Sequence, residues 1–273
     1  MKRNKSLLLS TPYIIWMVVF TLIPLGVVVY YAFTDPNTGA FTFSNITELA
    51  NYLPVLWQSI LYSLVSALIC LILGYPVAYF IAHRGPVVQK ILYMLVMLPM
   101  CMSFLLRTLA WVGLLQDTGI INNLLGLIGI GPISMIRTPG AVILGMVYNY
   151  LPYMILPLYA IIVKIDNRLI EAAEDLGCNS VQVFGRVILP LSMPGILSGI
   201  TMVFVPAVST FYISQKLGGT DTVLIGDVIE RQFKQGNNAN LGAALSLLLM
   251  VLVFICTGIM NRLGADEEGG VVV

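Results

Sequence analysis

The sequence predicts an all-α polytopic membrane protein with six transmembrane helices and both termini on the cytoplasmic side. Three observations carry this. Mean hydropathy is +0.92 and only 10% of residues are charged, where soluble domains average about 25%. Uncharged runs recur at 6–34, 49–82, 138–163, 187–215 and 235–261, each long enough for the roughly 20 residues a helix needs to cross the hydrocarbon core. Lys and Arg are also divided unevenly between alternate connecting segments, which sets orientation. Strands would need alternating patterns and a closed barrel, so the spans are helical.

The first span, expected at 7–33, follows the basic start "MKRNK" and lacks charge from Ser6 to Thr34. That run exceeds the apolar core of a cleaved signal peptide, about 7–15 residues, so it is read as retained. The second span is expected at 55–82. The third, at 91–116, is interrupted only by Arg107. The loop "TGIINNLLGLIGIGPISMIRTP" sets Asn, Gly and Pro around a short apolar stretch, the pattern of a helix lying in the interface. Spans four to six are expected at 139–163, 191–214 and 239–260, with a cytoplasmic loop at 164–190.

With the N-terminus inside, inner segments hold nine basic residues: Lys2, Arg3, Lys5, Arg84, Lys90, Lys164, Arg168, Arg186 and Arg262. Outer segments hold four: Arg137, Lys216, Arg231 and Lys234. The outer loops, about 35–54, 117–137 and 216–234, are too short for receptor domains. Residues 1–273 therefore read as one membrane domain.

Composition excludes several functions. A net charge of +1 creates no field to attract nucleic acid. The four cysteines form neither a CxxC pair nor a disulfide pattern. A single histidine, His83, leaves no metal-ligand set and no intramembrane nucleophile–base pair. No G-x-x-x-x-G-K-[ST] occurs to cradle nucleotide phosphates. A secondary transporter or channel is the competing class, but ion coupling favours a carboxylate buried mid-span and the expected spans contain none.

The densest polar patch is "DNRLIEAAEDLGCNSVQVFGRVILPLSMPG", residues 166–195. Locally it predicts two short helices with a turn between them. Asp166 or Asn167 can cap the first and Asn179 or Ser180 the second. Gly177 stands where a left-handed residue ends a helix. Leu169, Ala172, Ala173 and Leu176 form an apolar face flanked by Glu171, Glu174 and Asp175. A solvated inner loop is one reading; a capped, sharply turned docking element is the other.

"EAAEDLGCNSVQVFGRVILP" resembles the EAA motif of importer-type ABC permeases, matched by Glu171, Ala172, Ala173, Gly177, Leu189 and Pro190, with Val187 where Ile is usual. "GYPVAYFIA", "LLRTLAW", "LPYMILPLYAII", "FYISQKLGG" and "LIGDVIERQF" are similar, in order and spacing, to segments of spermidine/putrescine importer permeases. The resemblance implies a MetI-like ABC permease fold in a bacterial cytoplasmic membrane, with alternating access. It implies a sister permease subunit, two ATP-binding subunits that hold ATP and Mg, and an extracytoplasmic polyamine-binding protein. The elbow at 164–190 would then be the coupling element gripped by an ATPase subunit.

For a polyamine, carboxylates and aromatic faces are the expected ligands. Candidates for the substrate pathway are Arg107, Trp111, Tyr148, Tyr150, Tyr153, Tyr212, Asp227 and Glu230. An Arg within a span is costly and marks function, unless it lies near the interface and snorkels. A cationic substrate makes Arg107 a positioning group rather than a ligand. Pro99, Pro152, Pro157 and Pro206 should kink their spans. "GILSG", Gly195 to Gly199, has the spacing for close helix packing.

Overall fold

The computed structural model of the chain describes residues 12–36, 38–220, 222–235 and 238–268. Residues 7–11 of the expected first span, the basic residues Lys2, Arg3 and Lys5, and Asp221 lie outside these. In chain order the helices are α1 (Pro12–Ala32), α2 (Leu53–Ala82), α3 (Pro86–Met97), α4 (Phe104–Leu115), α5 (Ile120–Leu127) and α6 (Pro139–Ile162). They continue with α7 (Asn167–Asp175), α8 (Ser180–Val183), α9 (Met193–Val208), α10 (Tyr212–Leu217), α11 (Ile225–Lys234) and α12 (Ala239–Glu268). Among the described residues five helical segments are long and apolar enough to cross a membrane: Pro12–Ala32, Ser44–Ala82, Phe104–Leu127 (α4 with α5), Pro139–Ile162 and Ala239–Met260. There are six when the bent pair Ser180–Leu191 and Met193–Val208 counts as one. The third therefore runs on through α5, expected as an interfacial helix, rather than over 91–116.

The chain divides into two compact units. The first comprises residues up to Pro54 together with Val228–Leu252. Here α1 ends in a tight reversal closed by a single antiparallel bridge between Thr34 and Phe41. Two buried polar side chains satisfy the carbonyls this reversal leaves over. The Asn45 amide donates to the carbonyls of Ala32 and Thr34 at 3.2 and 2.9 Å. The Asn240 amide donates to the Thr34 carbonyl and hydroxyl at 2.6 and 3.1 Å. In a bilayer an unpaired backbone carbonyl is costly, so these asparagines tie the start of α12 to the end of α1.

The second unit comprises Val55–Asp227 and residues from Val253 on. Its centre is α6 against α9, with Met146, Met154, Leu158, Val203, Ala207 and Ile213 fully buried. Lipid is as apolar as these side chains, so close packing rather than water exclusion holds the pair together. A Cβ on Gly195 would lie 3.1 Å from the Pro157 carbonyl oxygen, and one on Gly199 2.6 Å from Met154 Sδ. The GILSG stretch thus packs helix on helix, as its spacing predicts. Buried serines along α2 recapture their own helix: Ser59 Oγ donates to the Val55 carbonyl and Ser63 Oγ to the Ser59 carbonyl, at 2.8 and 2.7 Å.

Two expected spans are not single helices. Residues 91–116 break into α3, a 3₁₀ turn at Leu98–Cys101, and α4. Pro99 supplies no N–H, and Met102 and Ser103 adopt extended ψ values of 148° and 131°, which end one helix and open the next. The fifth span bends by 63° before α9. It ends at Val208, two residues past Pro206, and resumes as α10 after Ser209–Phe211. Pro152 and Pro157, by contrast, are absorbed inside the continuous α6.

Candidate functional site

The elbow follows from local backbone chemistry. The Asp166 carboxylate accepts the Arg168 amide at 3.0 Å and opens α7. At the far end the Cys178 amide donates to the Ala173 carbonyl and the Gly177 amide to the Glu174 carbonyl, at 3.1 and 2.8 Å. This crossed pair is a Schellman motif and demands a left-handed residue; Gly177 supplies it with φ +86°. Asn179 and Gln182 then form a reciprocal capping box that starts α8. Of the alternative caps open in the sequence, Asp166 and Asn179 are the ones used.

Burial divides the expected apolar face. Ala173 is buried, and with Ile165, Ile170, Cys178, Val183, Val187 and Ile188 it forms a small core against Tyr79. Leu169, Ala172 and Leu176 turn outward; Leu176 is 86% exposed and Val181 on α8 79%. The stripe read as one face is two, because α7 seats through Ile170 and Ala173 and leaves its leucines uncovered. Glu171 is exposed beside them.

Beyond α8 the chain widens into a π turn at Phe184–Ile188, where the Leu189 amide reaches back to the Phe184 carbonyl. The wider turn accommodates Pro190, whose ring would crowd a regular helix. Leu189 and Pro190 then form the corner leading into α9. Ser192, fully buried at the bend, donates to the Leu189 carbonyl at 2.9 Å and shares a 2.8 Å hydrogen bond with the Tyr75 hydroxyl. The Tyr75 ring stands edge-on to Phe184 at 5.4 Å. One side chain of α2 therefore touches both the elbow and the bend. Sequence reading missed Tyr75; a Tyr in "GYPVAYF" carries no sign of a partner 117 residues away.

Six of the substrate-pathway candidates converge in the second unit, where α4 packs on α6 and α10. Phe104 lies 6.5 Å from Tyr150 and 6.3 Å from Tyr212, and Tyr150 lies 6.3 Å from Tyr153. Trp111, one turn beyond Arg107 on α4, meets Tyr148 edge-on at 5.4 Å. The Tyr150 hydroxyl donates to the Pro206 carbonyl at 3.3 Å, so the aromatic cluster is tied to the break after α9.

Arg107 is only 6% exposed, and its Nε and Nη1 have no hydrogen-bond partner among the described residues. It does not snorkel outward. Oδ1 of the buried Asn149 likewise has no partner among the described residues, although its side-chain amide donates to the Gly145 carbonyl at 2.9 Å. The two acidic candidates lie on α11. Asp227 is buried at the third position of α11 and accepts the Leu224 amide at 2.9 Å, as a helix start requires. Glu230, which belongs to the first unit, pairs with Lys234 at 2.6 Å.

Residues 74–266 match the family described as "Binding-protein-dependent transport system inner membrane component". The chain is 42% identical over 256 residues to the spermidine/putrescine transport system permease protein PotB of Haemophilus influenzae, covering 90% of each chain. It is 38% identical to the protein of that name from Escherichia coli, covering 87% of this chain and 90% of the relative. Among solved structures it resembles a bacterial ABC transporter involved in the import of the acidic polysaccharide alginate, with a TM-score of 0.81, 20% identity, and coverage of 97% and 96%. A MetNI methionine ABC transporter in an inward-facing conformation gives a TM-score of 0.60 at 17% identity, covering 79% of this chain and 95% of the other.

Proposed function

The chain belongs to the binding-protein-dependent transport system inner membrane components, and from that premise we propose that it imports polyamines as one permease subunit of an ATP-driven transporter. Relatives named as spermidine/putrescine permeases support the substrate class. The observation that carries the coupling role is the elbow at 164–190: its local hydrogen bonds are satisfied, yet it presents Leu169, Leu176 and Val181 uncovered. An apolar surface rimmed by charge marks a site for a partner.

In this reading both termini and the elbow face the cytoplasm of a bacterial cell. Two ATP-binding subunits hold ATP and Mg, since this chain carries no phosphate-cradling loop. A sister permease completes the pathway, and an extracytoplasmic polyamine-binding protein delivers the solute. Closure of the ATPases moves the elbow. Because Pro190 and Ser192 join it to α9, and the Tyr75–Ser192 bond joins that bend to α2, the displacement reaches two spans at once. Substrate and nucleotide shift the equilibrium between inward- and outward-open states only to the extent that each binds one state better.

Glu171, Ala172, Ala173, Gly177, Leu189 and Pro190 form the coupling element. Tyr148, Tyr150, Tyr153, Tyr212 and Trp111 offer ring faces to a flexible polycation, each worth about 0.5–2 kcal/mol according to how dry the contact is. Arg107, itself cationic, positions neighbouring groups and does not bind the amine. Asp227 and Glu230 are the carboxylates offered to the amine ends, Asp227 also opening α11 and Glu230 pairing with Lys234.

The test is uptake of labelled spermidine and putrescine by proteoliposomes containing the complete transporter with its binding protein. ATP-dependent accumulation of polyamines, and not of maltose or glutamate, is expected. Uptake without the ATPase subunits overturns the coupling role, and ATP-driven uptake of an unrelated solute alone overturns the substrate class.

A further inference from the structure

Behind the elbow lies a cavity of about 340 Å³, within the second unit, roofed by α7 and walled by the α2–α3 turn. Its polar rim is His83, Arg84, Gln89 and Asn167; its floor is apolar, with Ile162, Ile170 and Ile188. Among the described residues no Asp or Glu lines it. The neighbouring carboxylate, Asp166, is engaged in capping α7. Within 83–90 and 162–170 four cations, Arg84, Lys90, Lys164 and Arg168, stand against that one carboxylate.

The rim is partly built and partly open. Gln89 is held on both sides, its amide donating to the Ala82 carbonyl at 2.7 Å and its oxygen accepting the Tyr159 hydroxyl at 3.5 Å. His83 Nδ1 meets the Tyr79 carbonyl at 2.9 Å, which makes Nδ1 the protonated nitrogen and turns Nε2 to other partners. The Arg84 guanidinium lies 4.0 Å over the Phe80 ring and has no acceptor among the described residues. Stacked in this way it keeps its planar set of donors for a bidentate oxyanion. Phe80 belongs to the exposed apolar stripe of α2, with Leu68 and Ile72. The stripe leads directly to Arg84, so a cationic rim meets a face suited to an acyl chain.

We propose that this cavity binds the phosphate headgroup of an anionic phospholipid. Arg84 clamps the phosphodiester, His83 lies beside it, and the acyl chains run along the outward face of α2. Basic cavities between spanning helices at the membrane surface have this chemistry. Since Asn167 and Ile170 line the cavity from α7, an occupant stiffens the seat of the elbow. Coupled ATP hydrolysis then depends on anionic lipid.

The test uses the complete transporter. Native mass spectrometry after exchange into phosphatidylcholine with added phosphatidylglycerol should find phosphatidylglycerol retained. Arg84→Gln should lower that retention about fivefold, the effect of one cation near a charged surface; Arg84→Lys should keep most of it. Asn167→Asp, which adds a carboxylate to the rim, should lower it as well. Stimulation of ATP hydrolysis by the binding protein should be weaker in phosphatidylcholine vesicles than with phosphatidylglycerol present, and that difference should shrink in Arg84→Gln. Equal retention in wild type and Arg84→Gln overturns the proposal. So does full competition by soluble glycerol phosphate, which assigns the cavity to a free phosphate compound. Retention is read without transport, so its failure is distinct from failure of the polyamine reading.

Discussion

Replacing Gly177 by valine tests whether backbone geometry alone sets the elbow. With φ at +86°, an L-residue there costs about 1–2 kcal/mol, and β-branching moves the figure toward 3. A Cβ at this position meets nothing within 4 Å, so the penalty is purely conformational. The residue can escape only by giving up the Schellman bonds from Gly177 and Cys178, each worth about 1 kcal/mol net. Nine residues rise about 13 Å and form no stable helix unaided, so α7 has little reserve. A loss of about 3 kcal/mol moves the population of the seated elbow by roughly two orders of magnitude. The spans are untouched, so yield and thermal unfolding of the purified complex should stay near wild type. Uptake, and stimulation of ATP hydrolysis by the binding protein, should collapse together. Gly177→Asn is the control, because asparagine adopts left-handed geometry at little cost. Valine at the wild-type rate refutes the reasoning; so does asparagine as damaging as valine, since side-chain bulk would then be at fault.

Three further outcomes follow from named contacts. Tyr75→Phe and Ser192→Ala should each destabilise the protein by about 1 kcal/mol in thermal unfolding, and the double variant by little more than either; simple additivity would show that the 2.8 Å bond is not shared. Gly195→Ala and Gly199→Ala should each destabilise by about 1–3 kcal/mol, because the first new methyl meets the Pro157 carbonyl and the second the sulfur and carbonyl of the buried Met154. Unchanged melting temperatures in both would refute close packing of α6 and α9. Arg107→Met should leave the melting temperature unchanged or raise it, since a buried guanidinium whose Nε and Nη1 lack hydrogen-bond partners among the described residues is replaced by an apolar chain, while uptake falls. A lower melting temperature would give Arg107 a structural role instead.

The sequence by itself determined the class, the helical character of the long uncharged runs, and the elbow's punctuation. Those features are local. An uncharged run measures a bilayer wherever it lies, Asp166 and Asn179 cap the helices that begin beside them, and Gly177 is needed for its own φ. Only the tertiary structure decided which sides of these helices meet protein. Lipid and neighbouring helix are equally apolar, so hydropathy could not separate the buried Ala173 and Ile170 from the uncovered Leu169 and Leu176. Nor could it join Tyr75 to Ser192, bury Arg107, or show that Asp227 caps α11. Prolines were equally ambiguous. Pro99 lies where the third span breaks, whereas Pro152 and Pro157 sit inside an unbroken α6 supported by α9. Each of these outcomes depends on residues far apart in the chain coming within a few ångströms, and no local pattern records that.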